Sequence, residues 1–232
     1  MTTISNPALD PAIIRARSVE NVQVGNQIVR HRMATRLMHW SAALSFAVAV
    51  LSGMPIWTPI FGWMAGIFGG LSVCRVLHPW AGTVFFAAMV VMFVWWLRDM
   101  LLESGESDWF GKKLFTYMMH ETIDDWMIGK YNGGQKIFFF AVCLGGLGLM
   151  VSGLLLWFTA LLPPGLRAIG IILHDVTFLL FTMAIVFHIY LGTGAEPGTF
   201  RSMTRGTVPL PWARLHHPRW YREITGDSTP RT

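Results

Sequence analysis

The sequence predicts an all-α integral membrane protein, a four-helix bundle, and three observations carry that prediction. The 232 residues have a mean hydropathy of +0.47, with 53% hydrophobic and only 13% charged. That is the profile of one membrane domain, with no second soluble domain to carve out. Four apolar runs, at about 37–57, 76–97, 137–162 and 168–191, each reach the roughly 20 residues that a membrane helix needs. Histidines at positions 39, 78, 174 and 188 sit inside or at the ends of those runs.

The elements follow in chain order. Residues 1–34, with Pro7 and Pro11 and no sustained periodicity, read as an N-terminal arm that is mobile or bound to a partner. No cleavable signal is expected, because the arm is polar and mixed and the first apolar run is long enough to remain as an anchor. The four spans make up a domain at 35–192. Residues 58–74 form a loop apolar enough to lie on the membrane or against a partner. The long loop at 98–136 mixes Trp109, Phe110, Leu114, Phe115, Met118 and Met119 with charges, which predicts an interfacial helix over 109–128 with His120 at its surface. Pro163-Pro164-Gly165 predicts a tight turn, and 193–232 a tail without a span. Gly145, Gly146, Gly148 and Gly153 in the third run predict close helix packing, with room for a flat macrocycle as the alternative. Cys74 and Cys143, the only cysteines, read as small apolar fillers rather than a disulfide.

Charge sets the orientation. Residues 1–36 carry five Arg, 98–136 five Lys or Arg and 201–232 six Arg, while the two opposite loops carry only Arg75 and Arg167. This positive-inside bias predicts that both termini and the long loop are cytoplasmic. The net charge of +5 is thus spent on topology and does not point to nucleic acid.

The histidines carry the chemistry. A charged group at mid-membrane costs roughly 2.5 kcal/mol or more, so each ionisable residue there needs a reason. His174 and His188 lie 14 residues apart in one run, which on a helix is about 21 Å of rise and about 40° short of four turns, one face at two depths. Up-and-down threading then sets His39 opposite His188 near the cytoplasm and His78 opposite His174 near the outside. Two bis-histidine pairs at opposite depths are the ligand set for two stacked b-type haems. Structural zinc would want four ligands at one point, and no C-x-x-C-H run exists for covalent attachment. Any one histidine could instead hydrogen-bond between helices; four that pair by depth favour haem. Arg36 and Arg75 each stand three residues before a ligand, one turn nearer the surface. They are candidates for the haem propionates, with an ordinary snorkelling flank as the alternative. Asn132, Gly133, Gly134 and Gln135, where the third span begins, together with His188, are candidates for binding a quinone beside the inner haem. A Gly-rich turn that caps the third helix is the other reading of that segment.

These residues resemble a known family, the cytochrome b (gamma) subunits of membrane-bound, quinone-linked formate dehydrogenases. The resemblance rests on Thr35-Arg36-x-x-His39-Trp40, Arg75-x-Leu77-His78-Pro79, GKYNGGQK at 129–136, Leu173-His174, His188-x-Tyr190 and WARLHHPRWYRE at 212–223. It covers nearly the whole chain beyond the N-terminal arm, and Asp175 beside His174 departs from it. It implies a chain of the bacterial inner membrane that works in anaerobic respiration. A molybdenum- or tungsten-containing catalytic (alpha) subunit would oxidise formate, and an iron–sulfur (beta) subunit would relay electrons to two haem b groups here. Menaquinone or ubiquinone would accept them at the cytoplasmic side, with the 129–136 motif beside it. The chain itself shows no C-x-x-C cluster and is not expected to carry the formate chemistry. The alternatives are the same cytochrome serving a hydrogenase or thiosulfate reductase, or a free-standing di-haem oxidoreductase.

Overall fold

A computed structural model describes residues 18–103, 106–119 and 125–227. Two strands, β1 (Val22–Val24) and β2 (Gln27–Val29), precede the first long helix, α1 (Met33–Trp57). A 3-10 segment, Pro59–Phe68, leads to α2 (Leu71–Met100). A second, Glu106–Phe110, precedes the short α3 (Lys112–Met118). The remaining long helices are α4 (Gly133–Trp157) and α5 (Pro164–Tyr190), the latter continued by a π turn at Leu191–Ala195. The tail adds α6 (Thr199–Thr204), β3 (Thr207–Pro209), α7 (Leu210–His216) and α8 (Pro218–Thr225).

Four helices are long and apolar enough to cross a membrane, as the four runs predict. The third ends earlier than the apolar run does. Leu162, before Pro163, is held extended at φ −120° and ψ 147°, because a residue ahead of proline is pushed out of the helical region. Pro164 then starts α5, where its missing N–H costs nothing.

The chain divides into two compact units. One comprises Met38–Trp96 and Phe140–Ile185, most of the four long helices together with the two connections that join them in pairs. Its core packs Ala42, Phe85, Ala88, Met89 and Phe181 together, with Phe46 5.0 Å from Phe181 between ring centres. The glycines of α4 bring helices together: a Cβ at Gly146 would overlap the sulfur of Met89, and one at Gly145 would come within 2.7 Å of Phe181. Trp57, Trp63, Trp80 and Trp157 are all exposed, and Trp80 meets Trp157 edge-on at 5.4 Å. Such an aromatic girdle suits a membrane interface. The 58–74 segment is not an open loop but mostly helical, with Ile60, Trp63 and Ile67 outward and Met64 and Ala65 buried.

The other unit gathers the described residues of 1–37, 97–139 and 186–232. Here the sequence expectation of an arm and a spanless tail is joined by a short sheet, which the sequence did not signal. β1, β2 and β3 form an antiparallel sheet in that order, pairing Gln23 with Ile28 and Ile28 with Val208. Three-residue strands that pair across the whole chain leave no periodic signal. Ile28, Val208, Ala213 and Trp220 form the unit's core. Gly206 must be glycine: its φ is +82°, and a Cβ would lie 2.6 Å from the His31 carbonyl.

The single interfacial helix expected over 109–128 is corrected. Gly111, at φ −151° and ψ −124°, separates the 3-10 turn from α3. Trp109 is 2% exposed and so faces protein, not lipid; His120 lies outside the described residues.

Candidate functional site

Within the helical unit lies a cavity of about 680 Å³, in the size range of a cofactor site. Its wall is largely apolar, including Phe46, Phe86, Leu149 and Phe178, and His78 of α2 and His174 of α5 both line it. Their ring centres are 6.0 Å apart and the rings are near perpendicular, at 81°. This is the outer pair that the sequence predicts.

The tautomers follow from the hydrogen bonds. His78 Nδ1 lies 2.8 Å from the Ala49 carbonyl oxygen, which can only accept, so Nδ1 carries the proton. His174 Nδ1 lies 2.9 Å from Ser152 Oγ. That hydroxyl donates its single proton to its own helix, to Gly148 O at 2.7 Å with Leu149 O at 3.2 Å. It therefore accepts from His174. Both rings keep an unprotonated Nε2, the atom that binds a metal, and both Nδ1 atoms have the second-shell acceptor that fixes a ligating imidazole. Two metal–nitrogen bonds of about 2 Å, plus the distance from each nitrogen to its ring centre, require centres roughly 6 Å apart. The residues fit a bis-imidazole iron, and the 680 Å³ fits a macrocycle.

The surroundings serve the same fit. A Cβ at Gly53 would come within 2.7 Å of His78 Cε1, so this glycine makes room for the ring. Gly146 and Gly153 of α4 also line the cavity, so the glycine run combines close packing with room for a flat group. Arg75 lies at the cavity, as expected of a propionate partner. Arg167 joins it there, which the sequence reading missed. Its signal was present: it is the only charge in its loop and stands seven residues, two turns, before His174.

The second expected pair is His39 and His188. His39 meets Trp40 edge-on at 5.4 Å, and His188 stacks on Phe138 at 4.8 Å and 4°. Arg36 is engaged elsewhere than the propionate reading expects: it donates to Thr204 O at 2.7 Å and approaches Met33 sulfur at 3.3 Å.

The GKYNGGQK segment proves to be a keystone of the sheet-bearing unit. Asn132 N donates to Gln135 Oε1 at 3.0 Å and Gln135 N to Asn132 Oδ1 at 2.8 Å, a reciprocal cap on α4. The remaining amide group of Asn132 is hydrogen-bonded to Tyr117. A Cβ at Gly133 would overlap the Trp109 indole, and one at Gly134 would come within 3.1 Å of it. These glycines admit a tryptophan from the long loop. Lys136, 2% exposed, pairs with Glu106 at 2.8 Å and donates to Leu101 O. Lys130 pairs with Glu20 at 2.6 Å.

The tail motif locks onto the same segment. His217 Nδ1 donates to Gly129 O at 2.7 Å. Arg30, 3% exposed, donates to Lys130 O and lies between the Tyr131, Trp212 and Trp220 rings at 5.3–5.4 Å. Burial lowers the Arg30 pKa to about 10, still charged at neutral pH. Burial and the Arg30 charge hold the His217 pKa well below its ordinary value, keeping that ring neutral.

A helical membrane bundle that sets two imidazoles 6.0 Å apart on one macrocycle-sized apolar cavity defines a membrane cytochrome of the b type. The chain belongs to the prokaryotic cytochrome b561 family, whose model matches residues 30–206. It is 34% identical over 201 residues to the cytochrome b556(fdo) subunit of formate dehydrogenase from Escherichia coli strain K12, covering 85% of this chain and 93% of the relative. A formate dehydrogenase cytochrome b556 subunit from Haemophilus influenzae is 31% identical over 214 residues, covering 88% and 87%. The nitrate-inducible cytochrome b556(Fdn) subunit of Escherichia coli strain K12 is 30% identical over 202 residues, covering 85% and 91%.

Proposed function

We propose that this chain is the electron-transfer subunit of a formate dehydrogenase, carrying electrons across the bacterial inner membrane through two haem b groups to a quinone. The observation that carries the reading is the His78–His174 pair, which lines one cavity with both Nδ1 atoms engaged and so leaves Nε2 of each ring for iron. Haem bound there supplies one-electron chemistry at iron. The chain's own residues hold and orient it: Ala49 and Ser152 fix the two rings, Gly53 and Gly153 leave space, and Arg75 and Arg167 offer positive charge to the propionates.

A second haem is assigned to His39 and His188. Support comes from α5, an unbroken helix from Pro164 to Tyr190 that carries His174 near its middle and His188 at its end, and from the Phe138 ring that stacks on His188. The basic arm, long loop and tail support a cytoplasmic location for both termini. Electrons then run inward against a potential that costs about 2.3 kcal/mol per charge per 100 mV. Formate oxidation by a molybdenum- or tungsten-containing partner would supply that energy through an iron–sulfur subunit, leaving the formate chemistry outside this chain.

The quinone is assigned to the start of α4, beside His188. The carbonyl oxygens of Asn132 and Gln135 are used in the cap, but among the described residues Gln135 Nε2 makes no hydrogen bond and remains a neutral donor for a quinone carbonyl. Gly133 and Gly134 keep the backbone low there.

Asn132→Asp and Gln135→Glu separate the two roles, because each keeps the capping oxygen and removes the amide donor. In the purified complex Gln135→Glu should slow quinone reduction at least tenfold, while formate still reduces both haems fully. Unchanged quinone reduction in both variants would restrict the motif to the cap. Failure of formate to reduce the haems of the intact complex would sink the assignment of the donor.

A further inference from the structure

The cavity holds one charged group that haem ligation does not need. α5 presents Ile171, His174, Asp175 and Phe178 to it, the i, i+3, i+4, i+7 face of a helix. Asp175 is half-buried there, whereas Arg75 and Arg167 on the same cavity are exposed. Among the described residues Asp175 forms no ion pair, with these arginines or any other cation. An ordinary structural aspartate inside a membrane bundle would be matched by a cation. This one stands unmatched, one residue from an iron ligand, in an apolar wall where charges act strongly.

An anion held near an iron favours the oxidised, more positive state and so lowers the reduction potential. Local charge and burial are two of the levers by which a protein sets a haem potential. The two arginines act oppositely, but each has a propionate to neutralise. Asp175 therefore leaves the site with a net anionic bias.

We propose that Asp175 carries a fixed negative charge that holds the outer haem, on His78 and His174, at a lower potential than the inner one, so that electrons entering from outside run inward. The idea rests on the two-haem reading above. Each transfer is a single electron, one iron oxidised as the other is reduced, with no bond made or broken and no proton moved.

Optical redox titration of the intact complex tests it. Asp175→Asn and Asp175→Ser should each raise the ferrous-to-ferric ratio of the outer haem about tenfold at fixed ambient potential, a shift of 59 mV for one electron. Asp175→Glu should stay within twofold of the parent, Arg75→Gln should move the ratio the opposite way, and the inner haem should not move. An unshifted outer haem in Asn and Ser variants that retain both haems overturns the proposal, as does an equal shift of both haems. Failure of the underlying reading looks different: His174→Ala would then leave the haem-to-protein ratio unchanged.

Discussion

Replacing Ser152 by alanine probes the outer ligand without touching it. Ser152 is fully buried and its hydroxyl accepts from His174 Nδ1 at 2.9 Å while donating to its own helix. Alanine removes the acceptor and leaves an imidazole N–H in an apolar wall. A buried donor left unsatisfied costs about 1–3 kcal/mol, and loss of a second-shell partner weakens a metal site about 10–100-fold, which corresponds to roughly 1.4–2.8 kcal/mol. The two routes agree. Ser52→Ala is the matched control, since Ser52 is equally buried but bonds only its own helix, to Val48 O at 2.6 Å and Ala49 O at 3.3 Å. The assay is haem release from the purified cytochrome to an excess of a haem-scavenging protein, followed at the Soret band. Ser152→Ala should release one haem about 10–100-fold faster and the other at the parent rate, with Ser52→Ala close to parent for both. Equal release from the two variants would refute the claim that Ser152 holds a ligand.

Two further outcomes follow from the sheet-bearing unit. Gly133→Ala drives a methyl into the Trp109 indole and should destabilise the protein by about 1–3 kcal/mol, the range for overpacking. In thermal unfolding the penalty should shrink when Trp109→Ala is added; an unchanged penalty would place the strain elsewhere. The depressed pKa of His217, caused first by burial and then by the Arg30 charge, makes folding pH-dependent. Below its ordinary value of 6.5 the unfolded chain binds a proton that the folded chain refuses, so stability is full above 6.5 and is lost as pH falls through the folded pKa. His217→Gln should flatten that acid loss in unfolding curves taken across this window, and a parent-like slope would contradict the burial argument.

The membrane bundle and the meeting of His78 with His174 were legible because both are one-dimensional signals. Apolar length marks a span, and His78 and His174 pair simply from threading the spans up and down. Arg167 was less legible because it stands two turns from His174, not at the i−3 spacing that Arg36 and Arg75 share. The sheet was not legible: β2 meets β3 across nearly the full chain through strands of three residues, too short for an alternating pattern to register. The bond from Arg36 to Thr204 O was illegible for the same reason, since the two lie 168 residues apart. The 129–136 motif reads from sequence as a quinone site or a helix cap, and much of its character, like that of 212–223, comes from the two segments holding each other. Buried Arg30 and His217 donate to the Lys130 and Gly129 carbonyls, and Gly133 exists for Trp109. Buried polar networks of this kind need specific residues as strictly as an active site does.

The central claim is two haems on four histidines, and haem stoichiometry tests it most directly. Haem extracted from the purified chain and quantified against protein should give two haem b per polypeptide. His78→Ala and His174→Ala should each leave one, and His39→Ala and His188→Ala should each remove the other, distinguishable by its midpoint potential. One haem per parent chain, or a histidine variant of either pair that keeps both, would contradict the account.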